Sequence, residues 1–288
     1  MNDPIPFAGL PHPDPSQASP WVLLGIADDT QSTFLRGPAE APSRIRSAYD
    51  GRCFNSTTET GIELEHALSD QGDLRPLQTW DASAEIYART IEEICHAGQT
   101  PFVMGGDHAV TVPVLQGLAA IATSIHVIQV DAHPDLYPDF EGNPDSHACT
   151  AARLLEMTHV ASVTQLGIRT LNQDQRLQVD HYADRLHILE ARQLTSEVPR
   201  LGHIPERAAV YLTVDMDGFD PSVAPGVSHP VPGGLHSRQV MQLIQQGHWT
   251  LVGMDVVEVN PSRDINDQTS ILAARLLHEG IGYAAGAR

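Results

Sequence analysis

From residue 21 onward, short apolar runs alternate with stretches of helical periodicity. Trp21-Val22-Leu23-Leu24-Gly25-Ile26 is apolar without alternation, which predicts a strand covered on both faces. The pattern returns at 101–104, 125–130, 163–168, 186–189, 209–214 and 249–257. Between these runs, helices are expected at 38–50, after His108, and at 147–158, 173–183, 236–246 and 267–279. A further helix is expected over 81–97, with Ile86, Ile91 and Ile94 as its apolar stripe and Asp81 as its cap. Residues 51–80, rich in Thr, Ser, Gly and Asp, read as irregular. Strands alternating with helices predict an α/β fold around a mostly parallel sheet. Residues 1–20 contain six prolines and read as an extended arm, leaving 21–288 as one domain.

Charge narrows the partners. The 288 residues carry 17 Lys and Arg against 36 Asp and Glu, a formal charge of −19. That balance argues against nucleic acid, whose backbone needs clustered cations, and against an anionic membrane surface. It suits a small cationic ligand drawn to an acidic cleft. No apolar run reaches the length of a membrane span, and the first residues show no secretory pattern. Cys53, Cys95 and Cys149 form no C-x-x-C pair and are expected to be inert thiols in a reducing cytoplasm.

The chemistry gathers where predicted strands end. His108 follows the strand at 101–104, and Asp131, His133 and Asp135 follow 125–130. Asp215 and Asp217 follow 209–214, and Glu258 follows 249–257. Sites in α/β sheets form beyond the carboxyl ends of the strands, so residues remote in sequence can converge there. In extended chain, residues i, i+2 and i+4 point to one side, which fits 131/133/135 and 215/217. Four clustered aspartates would repel one another, and divalent cations relieve that repulsion. Mixed carboxylate and imidazole donors suit manganese, nickel, iron or zinc, and six ligands suffice for two ions. Taken singly, each motif is an ordinary turn or a solvated pair; their shared placement makes the metal reading.

Gly-Gly-Asp-His at 105–108, Asp-Ala-His-Pro-Asp at 131–135 and Asp-Met-Asp-Gly-Phe-Asp-Pro at 215–221 resemble the three signatures of the ureohydrolase family, the arginases and agmatinases. The stretches 54–59, 140–143, 224–230 and 255–261 resemble its plant-type arginase branch. The resemblance implies a three-layer α/β/α sandwich around an eight-stranded sheet, two Mn²⁺ ions (Ni²⁺ or another transition metal being the alternative) and a homotrimer or homohexamer. It implies one ion on His108, Asp131, Asp135 and Asp215, and another on Asp131, His133, Asp215 and Asp217. Asp135 would move a proton from the attacking water to the departing amine. Glu258 would face the guanidinium, and His147 would shuttle protons.

The substrate is less constrained. The loop 136–146, with Asn143 and Asp145, should read the part of the guanidine that distinguishes arginine from agmatine. Overall pattern favours arginine; Asp145 favours a cationic amine such as agmatine, and other guanidines follow. His229 either touches substrate or only packs. A zinc deacetylase of related fold and an inactive scaffold subunit are the remaining readings; the full set of six ligands speaks against both.

Overall fold

A computed structural model describes residues 7, 19–51, 55–64, 68–194 and 196–286. Its centre is an eight-stranded sheet: β1 (Trp21–Ile26), β2 (Leu68–Leu74), β3 (Thr100–Met104), β4 (Ile125–Val130), β5 (Val160–Ile168), β6 (Leu186–Glu190), β7 (Ala209–Asp215) and β8 (Thr250–Val257). The spatial order is β2-β1-β3-β8-β7-β4-β5-β6, and every pairing is parallel.

Among the described residues, six α-helices lie in crossovers, α1 (Ala41–Ala48), α2 (Trp80–His96), α3 (Thr111–Leu118), α4 (Thr150–Glu156), α5 (Gln173–His181) and α6 (Ser237–Gln245), and α7 (Gln268–Gly286) follows β8. Alternate residues of each strand face opposite layers. Leu23, Met104, Ile128, Leu212 and Val256 pack with Ile45 of α1, Ile244 of α6 and Leu277 of α7. Val22, Leu24, Val103, Val127 and Val257 pack with Ile91 of α2, Leu115 of α3 and Leu154 of α4. Two apolar layers on one sheet make the expected α/β/α sandwich and explain why the central strands are apolar throughout.

Two local expectations change. β2, Leu-Ser-Asp-Gln-Gly-Asp-Leu, lies within the stretch read as irregular. It is a polar edge strand, held because the buried Arg46 of α1 grips Asp70 with two nitrogens, Nε at 2.7 Å and Nη2 at 2.8 Å. The cap of α2 is Thr79, whose hydroxyl accepts from Ala82 N, and Asp81 sits in the first turn instead. Most of the N-terminal arm, and Cys53, lie outside the described residues. Phe7 is buried, its ring 5.3 Å from that of Tyr49.

Candidate metal centre and cavity

In the sheet order, β3, β8, β7 and β4 are consecutive neighbours. Their carboxyl ends carry His108, Glu258, Asp215 with Asp217, and the 131–135 turn. Topology therefore gathers what sequence separates by up to 150 positions.

His108 Nδ1 lies 3.1 Å from Asp131 Oδ2, 3.0 Å from Asp135 Oδ2 and 3.4 Å from Asp215 Oδ2. His133 Nδ1 lies 3.0 Å from Asp217 Oδ2 and 3.8 Å from Asp131 Oδ1. The two oxygens of Asp131 thus face different imidazoles. All four aspartates and His108 are buried, and His133 is partly exposed. Local hydrogen bonds fix the carboxylates. Asp131 Oδ1 accepts from His133 N at 2.7 Å and Oδ2 from Gln129 Nε2 at 2.8 Å. Asp215 Oδ1 accepts from Asp217 N at 2.8 Å. Asp135 adopts a left-handed backbone, φ 49°, and so does Glu258, φ 64°. Backbone strain of this kind persists where the surroundings impose it, and it concentrates at functional sites.

The donor set fits divalent transition ions. His108 Nδ1 is buried with no hydrogen-bond partner although three carboxylate oxygens surround it. An orphaned buried nitrogen is costly unless something else takes its lone pair. His108–Asp131–Asp215 and Asp131–His133–Asp217 each converge tightly enough to hold an ion. Burial pushes the Asp131 carboxyl up to about 7, with Asp135 and Asp217 adding to it. Burial disfavours the charged His133 ring, yet Asp217 and Asp131 outweigh it and raise the imidazole to about 10. Burial likewise works against the charged Asp217 carboxylate, but its pairing with His133 outweighs this and lowers its pKa, so crowding and ion pairing pull the members of the cluster in opposite directions.

Behind the cluster stands a second buried group. Thr213 Oγ1 lies 3.0 Å from His108 Nε2. Asp255, buried on β8, accepts at Oδ2 from Thr111 Oγ1 and Tyr211 OH, both at 2.8 Å. Burial raises the Asp255 carboxyl, and the Thr213 hydroxyl is among the groups that oppose this. With Nε2–H turned to Thr213, the His108 lone pair is left on Nδ1, toward the carboxylates.

A cavity of about 290 Å³ opens over the cluster. Asp135, Asp215, Asp217, His133, His147, His229 and Glu258 form its floor and wall; Thr33, Tyr137, Phe140, Ala148, Thr170 and Gln175 complete it. None of the described residues that line it is Lys or Arg. His147 Nδ1 donates to Glu258 Oε1 at 2.7 Å, and Glu258 also accepts from His108 N at 2.9 Å. Burial works against the charged His147 ring, but Glu258 outweighs it and raises the imidazole to about 9. His229 stands between rings: 5.3 Å from His147, 5.9 Å from His133 and 5.5 Å from Phe34.

Two expected substrate readers sit elsewhere. Asn143 Nδ2 donates to Gln31 at 2.8 Å on the exposed loop. Asp145 lines a separate groove with Trp80, Asp81 and Glu85 of α2. Its backbone is turned there by its N–H bond to Asn143 Oδ1. Tyr137 and Phe140 belong to the 136–146 loop expected to read the substrate, whereas Thr33, Thr170 and Gln175 carry no signal in the sequence, since none belongs to a charged motif at a strand end.

The comparisons agree with this arrangement. The Arginase family profile matches residues 19–282. A mitochondrial arginase of Medicago truncatula is 37% identical over 271 residues, spanning 89% of this chain and 80% of its own. The solved structure of a Medicago truncatula arginase superposes with a TM-score of 0.82 at 35% identity, over 93% of this chain and 87% of that one. The N(1)-aminopropylagmatine ureohydrolase of Thermus thermophilus is 32% identical over 282 residues, 93% of this chain and 91% of its own. An agmatinase of Bacillus anthracis is 28% identical over 269 residues, 91% of each chain. On profile, fold and sequence alike, the chain belongs to the arginase family.

Proposed function

We propose that the protein is a binuclear ureohydrolase that splits the guanidino C–N bond of L-arginine, giving ornithine and urea. The observation that carries this is the convergence of Asp131, Asp135 and Asp215 on His108 Nδ1 within 3.4 Å. One ion is assigned to His108, Asp131, Asp135 and Asp215, and the other to Asp131, His133, Asp215 and Asp217. Manganese is the proposed ion, with nickel next, since the donors suit both. Two such ions, when bound, supply the acidification of water that yields a nucleophile at neutral pH.

The chain's own residues supply the rest. Glu258 is the counter-charge for the guanidinium on the cavity wall. Asp135 accepts a proton from the attacking water and passes it to the departing nitrogen. A guanidinium plus water gives an ammonium plus urea, so both water protons end on that nitrogen. His147 exchanges the second one with solvent. A guanidinium against Glu258 weakens the hold that raises His147, so substrate binding makes the ring a stronger acid.

Arginine is favoured because the plant arginase is nearer in sequence than the agmatinase, at 37% against 28%. One observation favours agmatine as the second reading. An α-carboxylate is best met by a free cation, and the described lining holds no Lys or Arg, while the His147 and His133 rings are already paired with Glu258 and Asp217. We propose a homotrimer or homohexamer, one catalytic domain over 21–288 and a cytoplasmic setting; the free buried Cys95 and Cys149 suit a reducing compartment. No helix among the described residues is long and apolar enough to cross a membrane. The test is urea release by protein loaded with Mn²⁺ or Ni²⁺, offered arginine, agmatine, guanidinobutyrate and simple guanidines. Arginine should give the highest kcat/KM; agmatine in first place would reverse the substrate assignment, and no urea from any would end the reading.

A further inference from the structure

We infer that Thr33 is a further catalytic residue, its hydroxyl carrying the proton between His147 Nε2 and the departing amine. This rests on the ureohydrolase reading, in which His147 trades protons with the cavity. His147 Nδ1 is committed to Glu258 at 2.7 Å. Only Nε2 remains for exchange, and it is engaged by Thr33: Oγ1 lies at 2.8 Å and the backbone N–H donates at 3.1 Å. The amide N–H can only donate, whereas a hydroxyl both donates and accepts. Thr33 also lines the cavity that holds the carboxylates. Of the groups at Nε2, the hydroxyl is therefore the one able to pass a proton onward.

The hydroxyl is placed by the site itself. Asp107, buried beside His108, accepts at Oδ2 from Gln31 N at 2.9 Å and Ser32 Oγ at 3.2 Å. His147 N donates to Gln31 O at 3.3 Å. Asp29 Oδ2 accepts from Gly37 N at 2.7 Å and closes the loop. Residues 29–37 are thus tied to the two turns that carry His108 and His147.

In the transfer, the Nε2–H bond of the charged ring breaks as its proton bonds to Thr33 Oγ1. The hydroxyl's own O–H bond breaks, and that proton joins the nitrogen that keeps the electron pair of the broken C–N bond. The ring is left neutral with Nδ1–H on Glu258, the arrangement in which the Thr33 amide faces a lone pair on Nε2. Solvent recharges the ring and takes up the second proton of the attacking water, so no further reactant is needed.

The test compares urea release by the metal-loaded wild type, Thr33→Val, Thr33→Ala and Thr33→Ser, with and without added imidazole. Valine keeps the amide N–H and the shape of threonine but removes the hydroxyl. The relay predicts a kcat for Thr33→Val about 10- to 100-fold lower with KM within about twofold, and recovery of most of the rate in Thr33→Ser. Free imidazole should accelerate Thr33→Ala several-fold, to roughly a tenth of wild type or more, and leave wild type unchanged. Wild-type kcat in Thr33→Val, or a loss that imidazole does not relieve in Thr33→Ala, overturns the relay while the ureohydrolase reading stands. A wild type that releases no urea from any guanidine overturns both.

Discussion

His147 and Glu258, 111 positions apart, form one buried pair, with Nδ1 2.7 Å from Oε1. The pair joins the turn before α4 to the end of β8, so it is at once a wall of the cavity and a clasp between segments. Removing one partner leaves the other buried and uncompensated.

That clasp has a pH signature in metal-free protein. The His147 pKa is raised from 6.5 to about 9, so its stabilisation is complete below 6.5 and is lost as pH rises through about 9. Glu258 is shifted the other way: burial raises it, but His147 outweighs burial and lowers it below 4.5. Its share is present above 4.5 and is lost as pH falls through the lowered value. His147→Asn should therefore cost about 3 kcal/mol near pH 6, and the deficit should shrink toward pH 10. Urea denaturation of both proteins in chelator at pH 6, 8 and 10 measures this; a deficit that stays constant over that range would contradict it.

Thr213 and Asp255 stand behind His108 and should tune its affinity for metal. Thr213→Val and Asp255→Asn are each expected to weaken divalent-ion binding about 10- to 100-fold. Equilibrium dialysis against graded Mn²⁺ reads this without a catalytic assay. Unchanged affinity in both variants would show that the His108 tautomer is set by something else.

Gly106 permits the close approach on which the cavity wall depends. A Cβ there would lie 1.7 Å from Asp28 O, the carbonyl that receives Asp107 N. Gly106→Ala should cost at least about 3 kcal/mol or leave no folded protein, because backbone rather than a flexible side chain must yield. A melting curve close to wild type would show that the 28–37 loop can move aside.

The strands that carry the site were legible because burial on both faces makes them apolar throughout, and their chemistry begins where that run stops. Asp131, His133 and Asp135 could be placed beyond β4 for that reason. β2 was not legible: its order comes from Arg46 reaching Asp70, a contact across 24 positions that no local periodicity encodes. Thr33 was hidden for a similar reason, since a lone threonine in a polar loop acquires its role only when His147 folds against it. Asp145 shows the converse. Its charge and its place in the 136–146 loop mark it in the sequence as a reader of a cationic amine, and the turn at Asn143 directs it to another groove.

Asp131 offers one oxygen toward each half of the cluster, so its replacement tests the centre most directly. Metal content and urea release should be measured together on Mn²⁺-equilibrated wild type and Asp131→Ala. Wild type should hold two ions per chain and release urea from a guanidine, and the variant should hold fewer than two ions and release at least about a thousandfold less urea. Wild type that binds one ion or none, or a variant that keeps both ions and the rate, would contradict the binuclear reading.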